Sequence, residues 1–369
     1  MFSVDRGILV EGSNVRKRME HYGRLVQGID IFVLGADTDK SVQLENSVSV
    51  HAISGNKVNA AVKAIRLARR LIQTTTIITV QDPFELGLLG VLASWLTSQP
   101  LNVQVHIDFF SPYFSQESLR QRFQAFLAPF ILRRAASIRV VSQKIATYLR
   151  DSLGIDPSKI IIAPIFVDVE SVRNGPVTID LHAKYPQFDW IILVACRYVK
   201  QKNIPLAIEA FTGFKMIHPK AGLVIVGSGP EEDEIKESIA ELGLKESVIL
   251  GSWTSEFSSL MKTCDAFLMS SDYEGWGMTI IEAAAVGKPI IMTDVGCAGE
   301  FLINEKNGLV VETRDPEAII EALENLYNNR AFATNLGQEA KRQADTYMTR
   351  EESDMLMLKS WESTTGVGN

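Results

Sequence analysis

The hydrophobic positions of the chain follow two spacings in turn. Short β-branched runs at residues 29–34, 48–53, 76–80, 103–107, 138–141 and 160–163 have the length and polar boundaries of buried strands. Between them apolar side chains recur every three or four positions, as Val15, Met19, Tyr22 and Val26 do behind the capping residue Ser13, and the same period runs through 57–73 and 119–136. Strand, helix and strand in succession predict a parallel sheet wound with helices. The rhythm lapses over 167–189, where Asn174-Gly175-Pro176 and Tyr185-Pro186 mark a boundary. It then resumes, with strands expected at 190–196, 223–226, 247–250, 266–269 and 289–292 and helices at 204–217, 231–242, 279–286 and 316–328. The pattern predicts an α/β protein with two Rossmann-like, doubly wound domains in tandem, residues 1–170 and 171–346, and the length of 369 residues accommodates both.

In such sheets ligands bind beyond the carboxyl ends of the strands, where loops pass into helix N-termini. The richest of these loops is Ser270-Ser271-Asp272-Tyr273-Glu274-Gly275-Trp276-Gly277-Met278-Thr279-Ile280-Ile281-Glu282-Ala283. Gly275 and Gly277 let backbone approach a ligand, and the amides of Met278, Thr279 and Ile280 point at anionic oxygens from the positive end of a helix. That is a phosphate seat. Glu274 and Glu282 bracket it, and carboxylates cannot bind phosphate. They can accept hydrogen bonds from hydroxyls on either side of it, which a nucleoside diphosphate sugar offers at its ribose and sugar ends.

Glu274-Gly275-Trp276-Gly277 with Glu282 resembles the E-x7-E signature of retaining family 4 glycosyltransferases of GT-B fold. The likeness continues through Lys288-Pro289-Ile290-Ile291, Gly296 with Glu300, and Asn307-Gly308-Leu309-Val310. Upstream, Arg197 and Lys202 are spaced as the family's Arg and Lys are after the first strand of the second domain, and the turn 225–230 with Gly227 and Gly229 matches its strand and glycine turn. The resemblance implies GT-B architecture, two domains facing across a cleft, with a terminal helix within 347–369 crossing back to the first domain. It implies that Glu282 binds ribose, Glu274 the sugar hydroxyls, and Arg197 and Lys202 the diphosphate in place of a metal ion. Gly229, Gly275, Trp276, Gly277, Met278, Thr279 and Ile280 complete the donor site. No cofactor is implied besides the nucleotide sugar as co-substrate. Base contacts are expected from backbone around 248–251.

The first domain carries fewer signals. Gly12-Ser13 before a helix resembles the family's N-terminal glycine loop, which touches donor phosphate and acceptor, so that Gly12 is expected at the donor and Ser13 on the acceptor side, although only a short strand at 2–4 precedes it. His106 ends a strand where the resemblance puts a histidine near the donor sugar, and a neutral imidazole there can donate to a hydroxyl. Asp82 follows a strand and either orients the acceptor or caps a helix. Asp37-Thr38-Asp39 resembles the metal-binding pair of the other glycosyltransferase fold but lies too near the start of a two-domain chain, and reads as a polar turn. In Gly227-Ser228-Gly229 the third glycine of a dinucleotide fingerprint would fall at Glu232, so NAD is disfavoured.

Composition and charge then narrow the setting. A net charge of −7 excludes a general nucleic-acid binder. It is uneven: residues 1–170 hold 19 Lys and Arg against 15 Asp and Glu, and the remainder 18 against 29. The basic faces with Arg16, Lys17, Arg18 and Arg24, and with Lys63, Arg66, Arg69 and Arg70, suit an anionic acceptor or a peripheral membrane contact. Apolar runs are too short to span a bilayer, residues 1–10 lack the order of a signal peptide, and 3 scattered cysteines form neither a disulfide framework nor a zinc site. A cytoplasmic protein is expected, peripheral to the inner membrane face at most.

These readings converge on transfer of a sugar from a nucleotide sugar to a carbohydrate or lipid-linked acceptor with retention of anomeric configuration. Substitution of Lys202 or Glu274 by Ala is expected to abolish transfer with the fold intact. Two alternatives use the same fold: a nucleotide-sugar 2-epimerase, which needs more acid and base groups than His106 offers, and a sugar-nucleotide sensor without turnover.

Overall fold

The computed structural model describes residues 1–73, 76–254 and 256–365. Along the chain the elements are β1 (Phe2–Ser3), α1 (Asn14–Gly23), β2 (Ile29–Ala36), β3 (Lys40–Gln43), β4 (Val48–Ser54), α2 (Lys57–Leu71), β5 (Ile78–Val80) and α3 (Glu85–Thr97). There follow β6 (Leu101–Val105), α4 (Pro112–Gln116), α5 (Leu119–Arg134), β7 (Ser137–Val140), α6 (Gln143–Asp151), β8 (Ile160–Ile162), α7 (Val169–Asn174) and α8 (Leu181–Lys184). The second half begins with β9 (Trp190–Arg197), α9 (Ile204–Ile217), β10 (Ala221–Ser228), α10 (Glu232–Glu241), β11 (Val248–Ser252), α11 (Phe257–Thr263), β12 (Ala266–Met269) and α12 (Met278–Ala285). It ends with β13 (Ile290–Thr293), β14 (Leu309–Val311), α13 (Pro316–Asn328), α14 (Arg330–Asp345) and α15 (Arg350–Thr365).

The chain forms two compact units, one of residues 1–110, 118–164 and the stretch from 350, the other of 111–117 and 165–349. Residues 366–369 of the expected crossing segment lie outside the described residues. The division differs from the sequence expectation at 164 instead of 170, and in the excursion 111–117. That excursion goes with the second unit because the Phe114 ring meets Tyr273 edge-on at 5.6 Å and the Tyr273 hydroxyl donates to Glu117 at 2.6 Å.

The first unit is built on an eight-stranded sheet in the order β3-β4-β2-β1-β5-β6-β7-β8, parallel except for β3. The second has six strands, β11-β10-β9-β12-β13-β14, all parallel. Central β9 is buried from Trp190 through Ala195, which is why it reads as an unbroken apolar run. Its side chains join Phe211 and Phe214 of α9 and Leu223 and Ile225 of β10 in one core.

Four expectations are corrected. The β3 hairpin arm is polar but for Val42 and largely exposed, so it carries no apolar signal. The stretch 167–189 holds the short helices α7 and α8, capped by Asp168 and Asp180. β14, Leu309–Val311, enters the sequence reading only as part of the 307–310 motif and not as a strand. Residues 86–96, read only as an apolar run, are the body of α3, which is apolar all round and therefore shows no helical period.

The last helix is tied to the first sheet by a polar seam. Asn102 on β6 donates to Ser360 Oγ at 3.0 Å, Ser137 on β7 donates to the Ser360 carbonyl at 3.0 Å, and the Ser137 and Thr364 hydroxyls lie 2.6 Å apart. All four residues are buried. Trp361 meets Tyr22 of α1 edge-on at 5.7 Å, and His21 bonds Asp354 at 2.8 Å.

Candidate active site

In the second unit β9 and β12 are parallel neighbours, so the loops leaving their carboxyl ends lie side by side. Four bonds knit them. Ser270 Oγ donates to the carbonyls of Lys202 and Asn203 at 3.1 Å each, the Asp272 amide donates to the Gln201 carbonyl at 2.9 Å, and Asn203 Nδ2 donates to Asp272 at 2.8 Å. Asn203 adopts a left-handed φ of 42°, tolerable for asparagine, and caps α9 by accepting from the Leu206 amide at 3.3 Å. Asp272 also holds Arg314 bidentately, with the guanidinium 3.9 Å above the Tyr113 ring.

This join brings together two of the residues singled out from sequence. Lys202 Nζ forms an ion pair with Glu274 Oε1, both side chains being largely withdrawn from solvent. Glu274 further accepts from Ser271 Oγ at 2.8 Å and from Gln201 Nε2 at 3.3 Å, while Gln201 holds the Tyr273 carbonyl at 2.9 Å. A buried carboxylate with three donors is fixed in place. Gly296 adjoins it with φ 55°, and a Cβ there would stand 2.4 Å from the Trp276 carbonyl. The Trp276 indole is buried and donates to Tyr347 at 2.9 Å, so this side chain is a packing element of the loop.

Gly277, at φ 97°, sits at the N-cap of α12 and brings no side chain to it. The amides of Met278 and Thr279 have no intrahelical acceptor, as first-turn amides never do, and Ile280 folds back on the Gly277 carbonyl at 3.0 Å. Gly275 is buried within the loop. One turn into the helix, burial pushes the Glu282 carboxyl up to about 7, and among the described residues it has no hydrogen-bond or ionic partner. Glu274 is thus satisfied within the protein and Glu282 is not.

Arg197 ends β9 exposed, with no ion pair among the described residues. Lys202, Glu274 and Arg197 all act on the Cys196 thiol, which places them around one strand end, whereas burial, the dominant effect, pushes that thiol up to about 12. The glycine turn at the end of β10 has a packing origin. A Cβ on Gly227 would lie 1.9 Å from the Cys196 carbonyl, and one on Gly229 would lie 2.3 Å from the Tyr198 carbonyl. Replacing Gly227 by Ala should cost more than 2 kcal/mol, roughly, because neither backbone can yield; equal urea midpoints for the two proteins would refute this. Near the expected base contacts, the Tyr198 hydroxyl donates to the Gly251 carbonyl at 2.7 Å.

The remaining candidates belong to the first unit. His106 follows β6 and bonds Gln104 at 3.1 Å; burial, with Arg139 and Arg18 adding to it, pushes its ring down to about 3, so it is a neutral imidazole at physiological pH. Asp82 accepts from the Phe84 amide at 2.8 Å ahead of α3, a helix-start role, and burial raises its carboxyl. Ser13 caps α1 through the Arg16 amide at 3.1 Å and donates to the Gly7 carbonyl at 2.6 Å, so its hydroxyl is engaged. Gly12, at φ 75°, stands in open space beside it. In the polar turn, Asp39 accepts from Lys63 at 2.7 Å and from the Ser54 amide at 2.6 Å.

Sequence reasoning missed Gln201, Ser271 and Arg314. Ser271 lies inside the quoted loop and Gln201 between Arg197 and Lys202, but their partners are invisible without the strand order. Arg314 had no signal.

Residues 182–343 match the family model for glycosyl transferases group 1, and residues 16–165 match that for a glycosyl transferase 4-like domain. Among curated proteins, an uncharacterized glycosyltransferase of Methanocaldococcus jannaschii is 30% identical over 39% of this chain and 40% of its own length. An Escherichia coli UDP-Gal:alpha-D-GlcNAc-diphosphoundecaprenol alpha-1,3-galactosyltransferase is 24% identical over 67% of this chain and 65% of its own length. The matched stretches thus span less than two thirds of these relatives. The chain also superposes on Anabaena HepE, solved in complex with UDP, with a TM-score of 0.74 at 17% identity over 98% of this chain and 99% of the other. That likeness establishes the GT-B fold.

Proposed function

This chain belongs, by both of its domains, to the glycosyltransferases of GT-B fold, and we propose that it transfers a sugar from a nucleoside diphosphate sugar to a carbohydrate or lipid-linked carbohydrate acceptor with retention of configuration. The observation that carries this reading is the Lys202–Glu274 ion pair held beside the uncapped start of α12. A diphosphate seated on the Met278 and Thr279 amides receives positive charge from Lys202 and Arg197, the charge a divalent ion would otherwise supply. Glu274 orients Lys202 and accepts from sugar hydroxyls, and Glu282, lacking a protein partner, accepts from the ribose.

In the reaction the bond between the anomeric carbon and the diphosphate oxygen breaks, its electron pair passing to the phosphate. The cations and helix amides stabilise that charge as it develops. The acceptor hydroxyl bonds to the same face of the anomeric carbon and gives its proton to the departing phosphate oxygen. His106, neutral at the reaction pH, serves as a hydrogen-bond donor to substrate and not as the acid. Gly12 is assigned to the donor, with its loop turned toward the acceptor, and Ser13 and Asp82 to the acceptor side. The UDP-bound neighbour and the galactosyltransferase relative favour a uridine nucleotide and a lipid diphosphate-linked acceptor. Three free cysteines suit a reducing cytoplasm.

Incubation with radiolabelled nucleotide sugars in the presence of chelator should release nucleotide slowly without acceptor. With a glycan acceptor present it should give an anomer of unchanged configuration. Isomerised nucleotide sugar, or binding without any turnover, would overturn the proposal.

A further inference from the structure

The face of the first unit formed by α3 and α5 leaves large apolar side chains in water. Along α5, Leu119, Phe123, Phe126 and Phe130 recur at the spacing of one helix face and are 85%, 60%, 81% and 43% exposed. The opposite face of the same helix, with Ala128, Ile131 and Leu132, is buried against the fold, so the exposed stripe is a second apolar face. On α3, which packs along α5, Leu88, Leu92 and Trp95 form a matching stripe, with Trp95 77% exposed. Single exposed hydrophobic residues are ordinary, but two adjacent helices that each present a stripe are not. Among the described residues no helix is long and apolar enough to cross a membrane, so these helices cannot be buried by spanning one.

The charges around the stripes select what covers them. α5 carries Arg120, Arg122, Arg133 and Arg134 at its two ends and no acidic residue, with the Arg134 guanidinium 3.6 Å above the Phe130 ring. On the other flank of α3 lies α2, with Lys57, Lys63, Arg66, Arg69 and Arg70 and likewise no acid. Glu85, bonded to Arg120 at 2.8 Å, is the acidic residue of α3. A second copy docked face to face would set arginine against arginine across an apolar seam. Aromatic and leucine side chains framed by arginines instead match the boundary between acyl chains and anionic head groups.

We propose that the α3–α5 face is a docking surface for an anionic lipid bilayer, with Trp95, Phe123 and Phe126 entering the acyl boundary and the arginines of α5 and α2 meeting the head groups. It locates the membrane contact on an apolar face of which the basic pattern alone shows only one flank. The inference does not depend on the transfer reaction, since a protein of any activity with this face would bind.

The test is sedimentation of the full chain with vesicles of phosphatidylcholine containing one quarter phosphatidylglycerol, and with pure phosphatidylcholine. The chain should sediment with the anionic vesicles and be released as salt rises. Phe123→Ser combined with Phe126→Ser should lower the partition coefficient at least about tenfold. Nucleotide-induced thermal shift should be unchanged in that variant, showing that it folds. Replacing Arg122 and Arg133 by Gln should weaken binding to anionic vesicles alone. Wild-type protein left in the supernatant, a double variant that sediments equally, or a dimer that the double variant makes monomeric without vesicle binding would each overturn the proposal.

Discussion

Lys202→Ala should lower kcat for sugar transfer by roughly 10²–10³, the usual cost of deleting one preorganised group that meets developing charge. It should also destabilise the protein, contrary to the expectation from sequence that the fold would be untouched. Lys202 is the counter-ion of a carboxylate that is 7% exposed, and removing one member of a buried pair leaves the other uncompensated. Such losses run to about 3 kcal/mol or more, moderated here because Ser271 and Gln201 still donate to Glu274. The double variant Lys202→Ala, Glu274→Gln separates the two effects. Without a stranded charge it should recover much of the denaturation midpoint and none of the rate. Full activity in a folded Lys202→Ala protein would remove the proposed clamp.

Glu282→Gln should give the opposite combination, a more stable protein that binds nucleotide less well. In the folded chain burial raises this carboxyl from 4.5 to about 7. A raised acid favours the folded state below its unfolded value, and that contribution is lost as pH rises from 4.5 through about 7, beyond which the buried charge is a fixed penalty. At ~1.4 kcal/mol per pH unit the penalty is on the order of 3 kcal/mol. The glutamine variant should therefore melt several degrees higher than the natural protein at pH about 8 and show little advantage at pH about 5. Hydroxyl donors prefer the ionised carboxylate, so nucleotide affinity of the natural protein should rise between pH about 6 and 8, while the variant binds roughly tenfold or more weaker with a flat profile. Calorimetric titration with UDP across that range checks both. An unchanged affinity would mean that Glu282 does not meet the ribose.

The two-domain α/β plan was readable because β2, β4, β9, β10, β12 and β13 are largely buried strands, whose short β-branched apolar runs end at polar boundaries. What escaped had a physical reason in each case. α3 is apolar on every side and has no period, and β3 is an edge arm with polar residues. The loop after β12 was readable too, as a run of glycines and acids at the end of a buried strand. Its partnerships were not. Lys202 and Glu274 are 72 positions apart and meet only because β9 and β12 are neighbours, a fact of strand order that spacing along the chain does not carry. The same holds for Asp272 with Arg314, 42 positions apart. Gly227 and Gly229 illustrate a different gap, because a glycine that serves a ligand and one that admits a neighbouring carbonyl look alike in sequence.

The hydroxyl and amide ladder between Asn102, Ser137, Ser360 and Thr364 joins positions up to 258 apart. During synthesis the first sheet is complete some two hundred residues before its covering helix exists, and Asn102 and Ser137 must meanwhile rest against water. The nascent first unit thus waits half-dressed on the ribosome while the second is made and can close on itself. Ribosome-bound intermediates should accordingly be protease-sensitive in their earliest part and resistant in their later one, an inversion of the ordinary N-terminal-first order.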